Sequence, residues 1–312
     1  MNHIRISKDQ LSILMQKNNT KASIHSIAFF LLIFLSFYLQ IYFFENKNWS
    51  LFLIFTYISG VILSFSDQTS VAHQFQHNNC FTSRKINQFF YKFLMFYSLT
   101  NWFYNKLSHI NHHKYALVED KDDEFPFEKL DLLSLFQLLT FNFIVFFRRI
   151  KILFINSLGK FPMTNTNKSS NEILRDEIKS CARLILAGHF FLIAFFYYSN
   201  ILYLYLIIIL SQFVFNFFKD ICLRTQHYGL KHNTDNVLEN TRSLETNKII
   251  KFLMWNDNCH VEHHLYPSVP FYNLPKLRKF IGPKNIPTRY GLINFFKILV
   301  KDNLQNFNLS WK

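Results

Sequence analysis

Residues 24–44 carry no charged side chain over 21 positions, and residues 49–66 are uncharged as well. At 1.5 Å of rise per residue, each run approaches the length that crosses the ~30 Å hydrocarbon core of a bilayer. Residues 182–218 form a longer apolar run, with Arg183 at its start and the polar pair Ser199 and Asn200 near its middle, so it reads as two spans joined by a tight turn. The expected fold is an all-α integral membrane protein with four transmembrane helices in two hairpins, at about 24–44, 49–66, 182–198 and 201–218. The first span is too long and too late in the chain for a cleaved signal peptide.

Charge sets the expected orientation. Of 34 Lys and Arg, only Lys47 falls in a connection between paired spans. By the positive-inside tendency, residues 67–181 and 219–312 and both termini are cytoplasmic. The net charge of +14 flanks membrane spans instead of forming a soluble basic face, which argues for anionic lipid headgroups and against nucleic acid. Residues 1–23 read as a short amphipathic lead-in whose apolar cluster is Ile13, Leu14 and Met15. Residues 86–104 and 130–154 are rich in Phe and Leu but broken by polar and charged side chains, and they read as helices in the interface. Residues 160–171 read as a loop. A single domain over 1–312 is expected. Cys80, Cys181, Cys222 and Cys259 form no CxxC pair, which excludes a disulfide frame or a thiolate zinc site.

The histidines supply the chemistry. His73 and His77 form an HxxxH pair; His109, His112 and His113, and again His260, His263 and His264, form HxxHH triplets. Positions i, i+3 and i+4 share one helical turn, so each triplet is expected to point one way, at one metal. If span two continues as helix past Ser66, His73 stands ~10 Å above the bilayer edge, and a helix continued past Phe218 carries His227 to ~14 Å. The three clusters with His227 make nine imidazoles, too many for one tetrahedral zinc and enough for two metals with open positions. The zinc-protease motif HExxH is absent: Gln74 follows His73, and neither triplet has Glu after its first His. His189, inside span three, reads as a ring hydrogen-bonded between helices; His3, His25 and His232 read as surface or interfacial.

These boxes on a four-span chain resemble the membrane fatty acid desaturase and hydroxylase superfamily, whose site is a polyhistidine di-iron centre. Residues 256–277, NDNCHVEHHLYPSVPFYNLPKL, are similar to that family's third box almost residue for residue. His77 with Asn78, followed by Arg84, Lys85, Ile86 and Asn87, resembles the first box and its sequel. Asp120 and Asp122 lie where the family tends to carry acids after the second box. The resemblance covers residues from about 50 to 280. It implies that His73, His77, His109, His112, His113, His260, His263 and His264 are iron ligands, with His227 as a further one, and no catalytic residue beyond them. Candidates to support the ligands are Asn256, Glu262, Asp120, Asp122, Gln74 and Gln226, with Asp257, Glu119 and Asp123 as further carboxylates. The family usually has acids where this chain has Gln74 and Gln226.

The implied activity is O2-dependent insertion of a double bond into a lipid acyl chain lying in a tunnel lined by Phe and Leu, with two iron ions as cofactor. No haem-binding segment is seen, so electrons are expected from a separate ferredoxin or reductase. The same boxes serve hydroxylases, monooxygenases and terminal-alkene-forming oxidases acting on a lipid or hydrocarbon. A non-catalytic membrane metal-binding protein is the alternative from another class, and nine ligands exceed what a structural site requires.

Overall fold

The structure, a computed structural model, describes residues 6–124, 131–162 and 172–309; most of the expected 160–171 loop, and His3, lie outside the described residues. Ser7 and Gln10 form a capping box that starts α1 (Lys8–Leu14). Asn18 and Asn48 accept backbone N–H bonds at the starts of α2 (Asn19–Glu45) and α3 (Trp49–Ser64), which pair as a hairpin through a turn with Lys47 at φ 56°.

The surface pattern of α2 is the reverse of a soluble helix. Ile24, Ile27, Leu31, Phe34 and Leu35 are exposed, whereas Ser26, Ser36 and Gln40 are buried. Gln40 Nε2 donates to Thr56 Oγ1 at 2.8 Å and to Ser211 Oγ at 3.0 Å, tying three apolar segments by polar contacts. Such inversion suits a lipid-facing exterior with hydrogen-bonded helix contacts inside. Two helices, α2 and α9 (Glu172–Tyr198), are long and apolar enough to cross a bilayer, while Trp49–Ser64 and Leu202–Phe213 are apolar but shorter. The latter comprises α10 (Leu202–Leu210) and a 3-10 turn. His189 is hydrogen-bonded between segments, 2.9 Å from the Tyr205 hydroxyl and 3.0 Å from the Phe96 carbonyl.

Between the hairpins lie α4 (Val71–Gln76), α5 (Arg84–Tyr97), α6 (Trp102–Tyr115), α7 (Leu132–Leu139) and α8 (Phe143–Ser157). None approaches the ~20 residues of a spanning helix. Ile86, Phe89 and Phe93 expose an apolar stripe along α5, and Phe143, Phe147 and Phe154 do so along α8. Beyond α10 follow α11 (Phe217–His227), α12 (Val237–Asn240), β1 (Ser243–Glu245), α13 (Lys248–Leu253), α14 (His260–Leu265), α15 (Leu274–Ile281), β2 (Thr288–Tyr290) and α16 (Leu292–Leu309). β1 and β2 pair in parallel, with Leu244 opposite Arg289.

Three expectations need correction. Neither α3 nor α10 continues as one helix to its histidine. α3 ends at Ser64, residues 65–70 turn around Asp67, whose backbone oxygen accepts from Ser70 and Ala72, and α4 starts anew. After Phe213 the chain extends, with Phe215 at φ 51°, because Asn142 N–H bonds the Phe213 carbonyl and Phe215 N–H bonds that of Thr140, both at 2.8 Å. At the other end, α9 begins at Glu172, ten residues before the expected span. Hydropathy marks only the apolar portion, and the charged residues that precede it are good helix formers. Finally, His25 is no surface ring: it stacks on Phe252 at 4.5 Å and lies against Trp255 at 5.0 Å. His232 does stand exposed.

Close approach at Gly60 fixes how α3 meets the extended segment. A Cβ there would lie 2.1 Å from the backbone oxygen of Val214. A Gly60→Ala variant should lose about 1–3 kcal/mol of stability, read as a lower thermal unfolding midpoint in detergent. An unchanged midpoint would mean that the Val214 carbonyl moves aside freely.

The histidine-bearing helices and the loops between them form a cap that packs around Trp255, which is fully buried against Phe75, Phe271 and Phe29 with ring centroids 4.5–5.9 Å away. The N-terminal segment straps it: Asn273 Nδ2 donates to the Leu14 carbonyl at 2.9 Å, and Lys17 Nζ to the Asn78 carbonyl at 2.7 Å. Leu14 is buried against the third histidine box, while Ile13 and Met15 are exposed.

Candidate metal centre

Four short pieces of helix converge. α4 presents His73, with His77 at its C-terminal cap; α6 presents His109, His112 and His113; α11 ends on His227; and α14 presents His260, His263 and His264. All nine sequence-selected imidazoles come together, in two groups. His73, His77, His109, His113 and His263 form one, and His112, His227, His260 and His264 the other; within each, one nitrogen per ring lies within 4.8 Å of all the rest.

The triplets do not serve one metal each. In both, the first and third His, at i and i+4, enter one group, and the middle His, at i+3, enters the other. The helical wheel explains the division: i+4 lies ~40° from i on one side, whereas i+3 lies ~60° away on the other, so i+3 and i+4 diverge by ~100°. Helices α6 and α14 lie between the groups and feed both.

The nitrogens meet as ligands of a common ion would. His263 Nε2 lies 2.9 Å from His73 Nε2 and 3.2 Å from His113 Nε2; His77 and His109 Nε2 are 3.1 Å apart. In the second group, His260 Nε2 is 3.0 Å from His227 Nε2 and 3.2 Å from His264 Nε2. Two nitrogens ~2.1 Å from an ion and at right angles to it would be ~3.0 Å apart. A single shared proton cannot satisfy a nitrogen with two such neighbours, whereas a cation satisfies every lone pair at once. The site therefore fits metal ions, and imidazole alone suits iron, zinc, copper or nickel.

The opposite ring atoms explain why Nε2 points inward. Asp122 faces His112 Nδ1 with both oxygens at 3.1 Å, Glu124 lies 3.3 Å from His109 Nδ1, and His227 Nδ1 bonds the Asn240 carbonyl at 2.9 Å. An acceptor at Nδ1 holds the proton there and leaves Nε2 free to ligate. The Nδ1 atoms of His113, His260, His263 and His264 are buried without a hydrogen-bond partner.

Burial also holds the rings neutral, the form that binds metal. Desolvation depresses eight of them, His73 to about 3 and His77 to about 4, and neighbouring rings push most of them further the same way. His112 is the exception: burial would lower it too, but the charge and hydrogen bond of Asp122 lift it to about 9. Asp122 is itself held below the usual carboxylate range, since His112 and two backbone donors, from Leu117 and Glu124, outweigh its burial.

The expected supporting residues divide. Asp122 meets a ring, whereas Asp120 is exposed in a left-handed turn at φ 61°. Glu262 is buried on α14 but faces away from the imidazoles: Ser243 Oγ donates to it at 2.5 Å and Arg278 lies 3.6 Å off. Asn256 donates to the Phe271 carbonyl at 3.3 Å and shapes the turn before the box. Glu119 is exposed beside His232, and Asp123 accepts from Asn111 at 2.6 Å. Gln74 and Gln226 touch no ligand ring directly; both donate to Asp257. The sequence reading passed over Glu124, although it closes the acidic run that starts at Glu119. A neighbouring cavity of about 600 Å³ has a mixed lining, in which Asn105, Ser108, Glu124 and Arg149 stand beside Leu99, Leu138, Leu153 and Leu223.

No curated protein matches the chain at a significant level. A family model does: that of fatty acid desaturases matches residues 47–295, four-fifths of the sequence, and encloses all nine imidazoles of the two groups. Its membrane association accords with the two long apolar helices, and the paired imidazole groups fit an oxidase of the di-iron kind. By this match the chain belongs to the fatty acid desaturase family.

Proposed function

We propose that the chain is an O2-dependent acyl-lipid desaturase, with one iron held by His73, His77, His109, His113 and His263 and a second by His112, His227, His260 and His264. The observation that carries this reading is the division of nine imidazoles, seven of them buried and two half-buried, into adjacent sets of five and four. Two irons in such a setting supply the oxidising power to take two hydrogens from an unactivated CH2–CH2 unit. O2, two electrons from a separate ferredoxin or reductase and two protons from solvent complete the balance, leaving a double bond and two waters.

The chain's residues prepare that chemistry. Burial keeps eight of the nine rings neutral, Asp122 and the Asn240 carbonyl fix Nδ1–H on His112 and His227, and the Trp255 cluster packs beside the ligand helices and excludes bulk water. In this reading α2 with α3, and α9 with the Leu202–Phe213 segment, cross the bilayer as two hairpins. Local thinning accommodates the shorter partners, and the histidine cap and both termini lie on the cytoplasmic side.

Lipid profiling by mass spectrometry tests the reading, in cells given iron and an electron donor and expressing either the wild type or His263→Ala. A product lighter than its precursor by two hydrogens, seen only with the wild type, is expected. A product heavier by one oxygen would move the chain to hydroxylation, and identical profiles with an active donor would overturn the enzymatic reading.

A further inference from the structure

Asp257 is buried to 1% exposure between the two imidazole groups, outside the nine rings. Its two oxygens face different groups. Oδ1 accepts from Gln74 Nε2 at 3.1 Å and lies 3.5 Å from Nδ1 of His73, in the five-histidine group. Oδ2 accepts from Gln226 Nε2 at 2.9 Å and lies 3.4 Å from Nδ1 of His260, in the four-histidine group. The Gln226 amide also reaches the Asp257 backbone oxygen at 3.3 Å.

We infer that Asp257 is a positioning residue shared by both metal groups, clamped by Gln74 and Gln226 so that one carboxylate orients a ligand ring in each. Gln74 follows His73 directly and Gln226 precedes His227, so each clamping amide grows from the backbone beside a ring of a different group. Each amide locks one oxygen, and the locked oxygen lies 3.4–3.5 Å from Nδ1 of its ring, an ion-pair approach without a formed hydrogen bond, where its charge favours Nδ1–H and an Nε2 lone pair turned to the ion. The donor and acceptor types are therefore reciprocal. A carboxylate at 257 requires N–H donors at 74 and 226, and an acid at either place would set two buried carboxylates against each other. Gln74, Gln226 and the aspartate between them form one set: two amide donors around a single central charge.

The inference rests on the reading that the nine histidines bind iron, and its test separates the two. Iron per chain and its retention against a chelator are measured on the purified full-length protein in detergent, for the wild type, Gln74→Glu, Asp257→Asn and the double variant Gln74→Glu/Asp257→Asn. Gln74→Glu should release iron on the order of 10–100 times more readily. In the double variant, the side chain at position 257 presents an amide to the new carboxylate at position 74 and keeps an oxygen for Gln226, but that amide no longer accepts from the Nδ1 edge of His73, so retention should recover most of what Gln74→Glu loses on its own and stay below the wild type. Gln226→Glu, paired in the same way, supplies a second cycle should Gln74→Glu fail to fold. Wild-type iron near two per chain with losses that simply add in the double variant would overturn the clamp alone. A wild type that holds no iron would overturn the metal reading, and the clamp with it.

Discussion

Replacing His263 with alanine is expected to empty the five-histidine group and abolish turnover while leaving the helices assembled. Its Nε2 is the junction of that group, within 3.2 Å of the Nε2 atoms of both His73 and His113, and the ring is wholly buried. Removing a group that merely orients a ligand costs roughly 10–100-fold in metal affinity, so losing the ligand itself should exceed that range. The cavity left is one imidazole in a cap held elsewhere by Trp255 and the N-terminal strap, so the chain should elute from size exclusion as the wild type does. Full iron content together with normal turnover would refute His263 as a ligand.

The largest stability effect is expected at Asp67, in the turn between α3 and α4. Arg149 Nη2 from α8 and Lys219 Nζ from α11 each reach Asp67 Oδ2 at 2.6 Å, and Arg149 also donates to the Ser98 carbonyl at 2.8 Å. All three charges are largely buried, so Asp67→Asn leaves two cations facing each other without their anion. Breaking a buried pair in this way costs about 3–5 kcal/mol, or a fall of about 10 °C in the unfolding midpoint.

The acid response of Asp67 follows from its surroundings. Burial disfavours the ionised carboxyl, but Lys219 and Arg149, with a hydrogen bond from Thr69, more than offset it and hold the group well below the ordinary range. A carboxyl depressed in the folded state contributes stability that is complete above its unfolded value of about 4 and is lost as the pH falls through the folded value. The wild type should therefore lose midpoint more steeply below pH 4 than Asp67→Asn, whose midpoint is already low. Parallel acid profiles of the two proteins would refute the assignment.

The histidines were legible because ligation demands periodicity: two imidazoles serve one ion only from the same helical face, which leaves HxxxH and HxxHH in the chain. Their allocation was not legible. Whether the ring at i+3 joins its i and i+4 neighbours depends on what faces each side of α6 and α14, which is a tertiary fact. The same holds for the breaks after Ser64 and Phe213. Composition stays apolar through Phe65 and again through Val214 and Phe215, and the helices stop because backbone groups find partners at 65–72 and at Thr140–Asn142. Hydropathy sees side chains and misses those bonds. Asp257 was visible as one acid among several; only its place between Gln74 and Gln226 separates it from Asp120, which points to solvent.

The split of each HxxHH triplet has a mechanical consequence. A helix that serves a single ion can turn a few degrees about its axis to suit that ion's preferred distances. Helices α6 and α14 have no such freedom, because a rotation that brings the i and i+4 rings closer to one ion swings the i+3 ring away from the other. With an ion in each group, each helix would work as a beam balanced between two loads, and the two ions together would hold the histidine-bearing helices in one rotational setting.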